Sequence, residues 1–244
     1  MSAKAPTTPE IMIGAITRLL DGLGHVAVGS SSPIPGSAAL LARALSGGQM
    51  RVSLLGSEDH NPFTDGGREL FDCAAQGRID AFFLSGGQID GHGNINLVGL
   101  GDPRQPKVRF PGSFGSAYLY HLIPRVILFR EEHSPRTLVP KVDFVSAAGT
   151  SPEGEYRPGG PYAFVTGLCV FSFDKVRGGF RLESTHPGTT AADVRAATGF
   201  DYVAPAKVAE TPALPADALA TLRTRVATEV AETYPGFARS QWGV

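Results

Sequence analysis

Short apolar runs alternate with amphipathic segments over the first part of the chain. Buried strands are predicted from three apolar runs that end in small or polar residues, at 25–28, 52–55 and 81–84. Apolar residues at helical spacing predict helices between these strands, at 11–20 with Pro9 in the first turn, 37–45 and 68–75. Because strands that alternate with helices are typical of α/β folds, we predict a mainly parallel sheet flanked by helices.

The second part of the chain has a less regular pattern. Further short strands are predicted at 94–98, 107–110, 125–129, 141–145, 163–174 and 180–184. Gly178 and Gly179 favour a hairpin between the last two strands. Helices are predicted at 191–197, after a capping Thr189 or Thr190, and at 215–233, before Pro235-Gly236. Since no linker divides the chain, we expect a flexible leader over residues 1–9 and a single domain over residues 10–240.

The composition fits a folded domain and argues against some classes of partner. Hydrophobic residues make up 42% of the 244 residues, enough for a sizeable core. A formal net charge of -1 argues against a nucleic-acid surface. No apolar stretch has the roughly 20 residues of a membrane span, and none resembles a signal peptide. Cys73 and Cys169 are too few for a disulfide framework or a metal site, so we expect a cytoplasmic protein without a metal.

Polar and glycine-rich loops follow the first two predicted strands. Ligands of open α/β sheets bind at the carboxyl ends of strands, which makes these loops candidate sites. The loop at 29–36 has neither the Lys-Ser/Thr of a P-loop nor the dinucleotide-binding spacing of glycines. Glu58 comes soon after the second strand and is placed to act as a nucleophile or base. Alternatively, Glu58, Asp59 and His60 form a solvated loop.

Two more loops can meet a ligand through backbone or amide groups. In the loop at 85–96, the side chains of Gln88, Asp90 and Asn94 can hydrogen-bond either a ligand or the loop's own backbone. The turn at 111–117 exposes successive N–H groups that can form an oxyanion hole. Taken singly, each loop can equally be an ordinary turn.

Three segments in this order resemble the beta subunit of family I coenzyme A transferases, in particular the glutaconate type. Their sequences are Gly-Gly-Gln-Ile-Asp-Gly-His-Gly-Asn-Ile-Asn (86–96), Lys-Val-Arg-Phe-Pro-Gly-Ser-Phe-Gly (107–115) and His-Pro-Gly-Thr-Thr-Ala-Ala-Asp-Val-Arg-Ala-Ala-Thr-Gly-Phe-Asp (186–201). With the loop at 29–36 included, the resemblance spans most of residues 10–205.

The resemblance implies a mechanism and a set of site residues. In this family a beta-subunit glutamate attacks an acyl-CoA thioester, and the reaction passes through an acyl-glutamyl anhydride and a glutamyl-CoA thioester. If Ser57-Glu58 matches the family's Ser-Glu pattern, Glu58 is the nucleophile, whereas a gap-free match to Glu-Ser-Gly puts Gly56 at that position. Phe114 replaces a glycine of the usual loop. The family's loops imply contacts with the CoA ester at Gly86, Gly87, Gln88, Asn94, Gly112, Ser113, Phe114 and Gly115.

The sequence is therefore identified as a beta-type subunit of a CoA-transferase, which moves CoA between an acyl-CoA and a carboxylic acid. The resemblance implies a CoA thioester as substrate, no bound cofactor, and an alpha-type partner subunit in an α2β2 assembly. Two alternatives stay open. One is a ring-opening C–C hydrolase of CoA thioesters whose catalytic group lies on the partner subunit. The other is a non-catalytic subunit that binds the CoA ester.

Overall fold

The computed structural model describes residues 5–244 and alternates strands with helices over its first half. The helices are α1 (Thr8–Leu19), α2 (Pro33–Leu45), α3 (Gly67–Ala75), α4 (Ser116–Leu122), α5 (Ala191–Ala197), α6 (Ala216–Thr221), α7 (Ala227–Thr233) and α8 (Pro235–Trp242). A π-helical segment, Leu222–Val226, joins α6 to α7. The strands are β1 (His25–Val28), β2 (Arg51–Leu54), β3 (Ala81–Leu84), β4 (Gln88–Ile89), β5 (Ile95–Asn96), β6 (Gly99–Leu100), β7 (Val108–Arg109), β8 (Arg125–Arg130), β9 (Pro161–Thr166), β10 (Cys169–Asp174), β11 (Gly179–Thr185) and β12 (Ala209–Glu210).

Within residues 5–244, eight strands form one mixed sheet in the order β12-β11-β10-β9-β8-β3-β1-β2. The neighbours β2, β1, β3, β8 and β9 are all parallel, whereas β10 is antiparallel to both β9 and β11. Strand pairs β4–β5 and β6–β7 are short antiparallel hairpins outside this sheet. The predicted α/β class with a mainly parallel sheet is confirmed.

The central strands are buried on both faces, which explains why they read as continuous apolar runs. In β1, Val26 and Val28 belong to the core cluster that includes residues of α1, α2 and α7. Ala27, between them, belongs to the cluster that includes residues of α3 and α4. This alternation has the period of two that a strand imposes on its side chains. No helix in the described part of the chain is long and apolar enough to cross a membrane.

Most predicted elements occur where the sequence pattern places them, with small changes at their ends. The ranges of β1, β3 and α5 agree with the prediction, and Thr190 caps α5. α1 begins at Thr8 because Thr7 and Glu10 form a capping box, so residues 8–9 of the predicted leader are helical. Residues 1–4 of the leader lie outside the described residues. α2 begins at Pro33, because a proline in the first turn removes no helical hydrogen bond.

Two strand predictions are wrong. Residues 141–145 form an irregular segment, in which the Asp143 N–H donates to the side chain of Gln88 instead of a neighbouring strand. The apolar run at 163–174 predicts one strand, but β9 and β10 are separated by a turn at Gly167. There the Gly167 N–H donates to the carbonyl of Glu131, and a Cβ at Gly167 would lie 2.3 Å from that oxygen. The turn reverses the chain, so the second half of the apolar run pairs antiparallel with the first.

Candidate active site

The loops selected from the sequence begin at one edge of the sheet. Because β2, β1, β3 and β8 are consecutive parallel neighbours, the loops that follow them start side by side at their carboxyl ends. α3 and α4 each lead back to a parallel strand, so both helices begin at this same edge. Residues 111–115, which precede α4, therefore lie there too. This is the position where open α/β sheets bind ligands.

The turn after β2 is held in place by Glu232 of α7. The Ser57 hydroxyl donates to Glu232 Oε2 over 2.7 Å, and the Glu58 N–H donates to Glu232 Oε1 over 2.7 Å. Gly56 permits the turn with a φ of +91°, in the left-handed region that glycine favours. As a result Ser57 is buried, whereas Glu58 is exposed at the edge of the sheet.

The carboxylates of Glu232 and Glu58 differ in their hydrogen bonding. Burial raises the pKa of Glu232, but hydrogen bonds from Thr233, the Glu58 N–H and Ser57 outweigh it and hold this pKa below its usual value. The Glu58 carboxylate has no hydrogen bond or ion pair with any residue of the described chain. The His60 ring is hydrogen-bonded to Arg43, with its Nδ1 3.0 Å from Arg43 Nη1. An exposed carboxylate without a partner is free to act as a nucleophile or base.

After β3, Gly86 and Gly87 bring the backbone into close contact with two side chains. A Cβ at Gly86 would lie 2.6 Å from Ile95 Cγ2, and a Cβ at Gly87 would lie 2.2 Å from the ring of Phe110. Only glycine fits at such distances. The Gly86 carbonyl accepts a hydrogen bond from Arg130 Nη1 over 2.7 Å. The backbone of this loop is therefore fixed against the end of β8.

Gln88 and Asn94 make hydrogen bonds inside the protein. Gln88 Oε1 accepts from Asn96 Nδ2 over 2.7 Å and from the N–H of Asp143 over 2.9 Å. Asn94 Oδ1 accepts from the N–H of Gly149 over 3.1 Å. These bonds attach the β4–β5 hairpin to the segment at 143–149. Contact of either side chain with a CoA ester stays a prediction.

The loop before α4 closes in a four-residue turn. The Ser116 N–H donates to the Ser113 carbonyl over 2.8 Å, while the preceding Gly112 N–H donates to the Leu97 carbonyl over 3.0 Å. The N–H groups at 113, 114 and 115 have no acceptor anywhere in residues 5–244. Three unpaired N–H groups in succession can receive an oxyanion.

Phe114 has an unusual backbone for a large side chain. Its φ is +41°, the only positive φ of a non-glycine residue in the described chain. Its ring is 86% exposed and lies 5.4 Å, centroid to centroid, from the ring of Phe71 on α3. Glycine adopts such a φ freely, whereas an aromatic residue is strained there.

A charged cluster at the end of β8 is absent from the candidate residues of the sequence. Glu132 Oε2 lies 3.1 Å from Arg130 Nη2 and 2.8 Å from Arg136 Nη2, and Glu132 Oε1 accepts from Ser134 Oγ over 2.8 Å. Burial raises the pKa of Glu132, but these hydrogen bonds lower it to about 2. The sequence carried no usable signal, because a spacing of four brings side chains together on a helix and residues 131–136 are not helical. The contact of Glu232 with Ser57 had no local signal, because 175 positions separate the two residues.

Two cavities follow this edge and share Ser85 and Arg130. One, of about 520 Å³, is lined by Pro33, Ile34, Ser85, Phe129, Arg130, Glu131 and Glu132. The other, of about 410 Å³, contains the backbone of Gly86 and Gly87 and the inner side of the β6–β7 hairpin. A larger cavity of about 580 Å³ lies near the β10–β11 hairpin and α5, and none of the predicted site residues lines it. Among the described residues, no group of three or more His, Cys, Asp or Glu can hold a metal ion.

Fold and loops together define an α/β protein whose candidate site lies at the carboxyl edge of its parallel strands. The chain belongs to the coenzyme A transferase family, whose model matches residues 5–197. It is similar to the B subunits of two such enzymes. Identity to that of 3-oxoadipate CoA-transferase from Pseudomonas knackmussii is 36% over 169 residues, with 65% of each chain covered. Identity to that of glutaconate CoA-transferase from Acidaminococcus fermentans is 33% over 126 residues, with 49% of this chain and 47% of that protein covered.

A solved structure is similar in fold over nearly the whole chain. The crystal structure of IpdAB from Rhodococcus jostii RHA1 matches with a TM-score of 0.79 and 27% identity, covering 91% of this chain and 94% of that one. The matched segments span less than two thirds of the length of both curated relatives, at 65% and 47%. The predicted family is confirmed.

Proposed function

We propose that this chain is the beta-type subunit of a CoA-transferase that moves CoA between an acyl-CoA and a carboxylic acid. The observation that carries the proposal is that one edge of the sheet carries both an exposed carboxylate without a partner, at Glu58, and three unpaired N–H groups, at 113–115. Acyl transfer through a carboxylate needs both features, a nucleophile and donors for the oxyanion. Family membership supports the choice of a CoA thioester as the acyl donor.

In the proposed reaction, a Glu58 carboxylate oxygen attacks the thioester carbonyl, and the collapsing tetrahedral intermediate releases CoA thiolate and leaves an acyl-glutamyl anhydride. The thiolate then attacks the glutamyl carbonyl, which releases the first carboxylate and leaves a glutamyl-CoA thioester. An acceptor carboxylate attacks that thioester, which expels CoA thiolate and forms a second acyl-glutamyl anhydride. The thiolate then attacks the new acyl carbonyl, which gives the new acyl-CoA and releases the Glu58 carboxylate. Each step exchanges one activated acyl group for another, so no water is consumed. The N–H groups at 113–115 face the oxyanions in this proposal.

We also propose an alpha-type partner subunit, in an α2β2 assembly, because the relatives are named as B subunits. Light scattering on the co-expressed subunits tests this, since a chain that stays alone contradicts it.

We propose that the reaction takes place in the cytoplasm, because Cys73 and Cys169 are free and buried, as is usual for proteins of a reducing compartment.

Trapping the covalent intermediate tests the role of Glu58. The complex is incubated with an acyl-CoA, treated with hydroxylamine or borohydride, and digested for mass spectrometry. A modified Glu58 is expected, while Glu58→Gln is expected to give no modified peptide and no transfer. The neighbouring exposed carboxylate supplies a matched control, because Asp59→Asn should leave both signals intact. Turnover without modification at Glu58 would contradict the covalent mechanism.

A second candidate is a CoA-thioester hydrolase with its catalytic group on the partner subunit. Gly56 stands nearer to the end of β2 than Glu58 does, with its φ of +91° beside Ser30. If the nucleophile position of the family falls on Gly56, this chain supplies the binding loops and no nucleophile. Hydrolysis of a CoA ester that survives Glu58→Ala would support this candidate over the transferase. A subunit with no role in turnover would require that changes at 112–115 also leave turnover unaltered.

A further inference from the structure

The ring of Phe71 joins α3 to the loop that precedes α4. Phe71 is half-buried and packs against the core cluster that includes residues of both helices. Its ring centroid lies 5.4 Å from that of Phe114 in the loop and 5.6 Å from that of Tyr118 on α4, which meets it edge-on. Tilted and edge-on ring pairs at such distances are favourable. Phe71 is therefore the central ring of a cluster that connects two helices and the loop.

The same ring also lies directly against the backbone of Gly115. A Cβ at Gly115 would lie 2.1 Å from Phe71 Cζ, so no side chain fits there while the ring keeps its place. The φ of Gly115 is −88°, outside the left-handed region, so the close approach of the ring is what requires glycine. On the other side of the contact, a Cβ at Gly67 of α3 would lie 3.0 Å from Phe114 Cζ. Helix and loop are thus packed together at two glycines.

Residues 113–115 need such support, because their backbone has few bonds of its own. The N–H groups at 113, 114 and 115 have no acceptor in the described chain. Phe114 has a φ of +41°, a conformation that costs free energy for a residue with a Cβ. A strained backbone persists only where the surrounding contacts impose it. The ring of Phe71 and the bare backbone of Gly67 supply contacts of this kind.

We propose that Phe71 is a positioning residue for acyl transfer, whose ring holds the N–H groups at 113–115 where the oxyanion forms. The proposal rests on the proposed function for the use of these N–H groups and adds a residue that touches neither the substrate nor the reacting atoms. An oxyanion donor is effective only if it already lies about 3 Å from the developing charge. A loop that moves loses this alignment in the transition state.

Steady-state kinetics of the assembled complex test the role of Phe71. Transfer of CoA to acetate is measured from whichever of butyryl-CoA, succinyl-CoA and glutaryl-CoA the natural complex consumes fastest. Phe71→Ala is expected to lower kcat at least about tenfold, because the donors act on the transition state. KM should change less than about threefold, because substrate binding does not depend on the oxyanion. Phe71→Leu fills part of the space of the ring and should recover part of the loss.

The matched control is Phe237→Leu on the other face of the sheet. Phe237 is also half-buried and also has an aromatic neighbour, Trp242, at 5.5 Å between ring centroids, but it packs against the other core cluster. We expect its replacement to leave kcat within about twofold of the natural value. Equal losses of kcat for Phe71→Leu and Phe237→Leu would reveal a general effect of lost packing and would overturn the proposal.

The contact between ring and loop is tested by combining two substitutions. In the natural protein Gly115→Ala puts a methyl group 2.1 Å from Phe71 Cζ, so the loop or the ring must shift. This change alone is expected to lower kcat at least about tenfold. In the Phe71→Ala protein the ring is gone, and the same change should lower kcat less than about threefold, since residues in contact have coupled effects. Effects that simply multiply in the double variant would contradict the contact as the cause.

A measurement without turnover separates this proposal from the proposed function. para-Fluorophenylalanine is incorporated at position 114, and its fluorine NMR resonance is recorded in the assembled complex. Phe71→Ala should move the resonance towards its position in the unfolded chain, because the neighbouring ring is lost, whereas Phe237→Leu should not move it. An unmoved resonance would overturn the proposal even if kcat falls, and a moved resonance with unaltered kcat would overturn it too. A natural complex that transfers no CoA would count against the proposed function, while the resonance would still decide whether Phe71 fixes the loop.

Discussion

Glu232 on α7 accepts two hydrogen bonds from the turn that presents Glu58, one from the hydroxyl of Ser57 and one from the N–H of Glu58, each 2.7 Å long. A single carboxylate from the C-terminal part of the chain therefore fixes a turn in the first quarter of the chain. Because the Glu58 side chain itself has no partner in the described structure, its backbone is what determines where the carboxylate lies.

Replacement of Glu232 should reduce turnover more than stability. Glu232→Ala removes both acceptors, so the turn can move and Glu58 spends less time in position; we expect kcat to fall about tenfold to a hundredfold with a small change in KM. Glu232→Gln keeps one acceptor and should recover part of the loss. Thr228→Ala, one helical turn earlier, is the control. A loss confined to KM, or none, would argue against a positioning role.

The ion pair between Glu10 and Arg223 should be a major contribution to stability. Glu10 is 2% exposed, and its two oxygens lie 2.7 and 2.8 Å from Arg223 nitrogens, which joins α1 to the C-terminal helices. Glu10→Gln replaces the charge-assisted hydrogen bonds that the buried carboxylate accepts from Arg223 with weaker ones, so the free energy of unfolding should fall by about 2 kcal/mol.

Urea denaturation of the natural protein and of the variants Glu10→Gln and Glu229→Gln measures the loss of free energy of unfolding. Glu229→Gln breaks the more exposed pair between Arg225 and Glu229 and should cost less than about 1 kcal/mol. Equal losses for Glu10→Gln and Glu229→Gln would contradict the special role of the buried pair.

The free energy of unfolding should fall as the pH is lowered from 6.5 towards 4. His133 Nδ1 lies 2.8 Å from Thr166 Oγ1, and its Nε2 lies 2.8 Å from Thr198 Oγ1. Burial, and then repulsion by His186, lowers the pKa of His133 from 6.5 to about 4. The unfolded chain thus binds a proton in this pH range that the folded chain does not, and stability is fully present only above pH 6.5.

A shift of this size corresponds to about 3 kcal/mol, lost progressively down to pH 4. Urea unfolding at a series of pH values measures the slope. His133→Gln should flatten it by about one proton, because the titrating group is gone. A variant with the same slope as the natural chain would show that other groups, such as His25 and His186, account for the pH dependence.

Backbone strain at Phe114 predicts a difference between two small replacements. Phe114→Ala and Phe114→Gly both remove the ring that contacts Phe71, but only glycine adopts the φ of +41° without a steric penalty. The glycine variant should therefore be more stable than the alanine variant by about 1 kcal/mol. Thermal unfolding of the pair checks this, and a more stable alanine variant would contradict the strain.

Local patterns in the sequence were sufficient for most elements of the fold. The apolar runs at β1 and β3 and the capped helix α5 could be located to the residue, because strand period, helix period and capping are all properties of neighbouring residues. The strand prediction at 141–145 was wrong. Apolar and polar residues alternate there as in a strand, but the hydrogen bonds go to Gln88 and the β4–β5 hairpin, which a local pattern does not reveal.

The sequence by itself determined the α/β class, the family, and which loops stand at strand ends. Only the tertiary structure decided which groups in those loops are free. Gln88 and Asn94 turn inward to hydrogen-bond the protein, Glu58 stays exposed, and Glu232 joins the site across 174 positions. The physical reason is that periodicity records burial along one element, whereas hydrogen bonds and cavities depend on elements brought together by the sheet order.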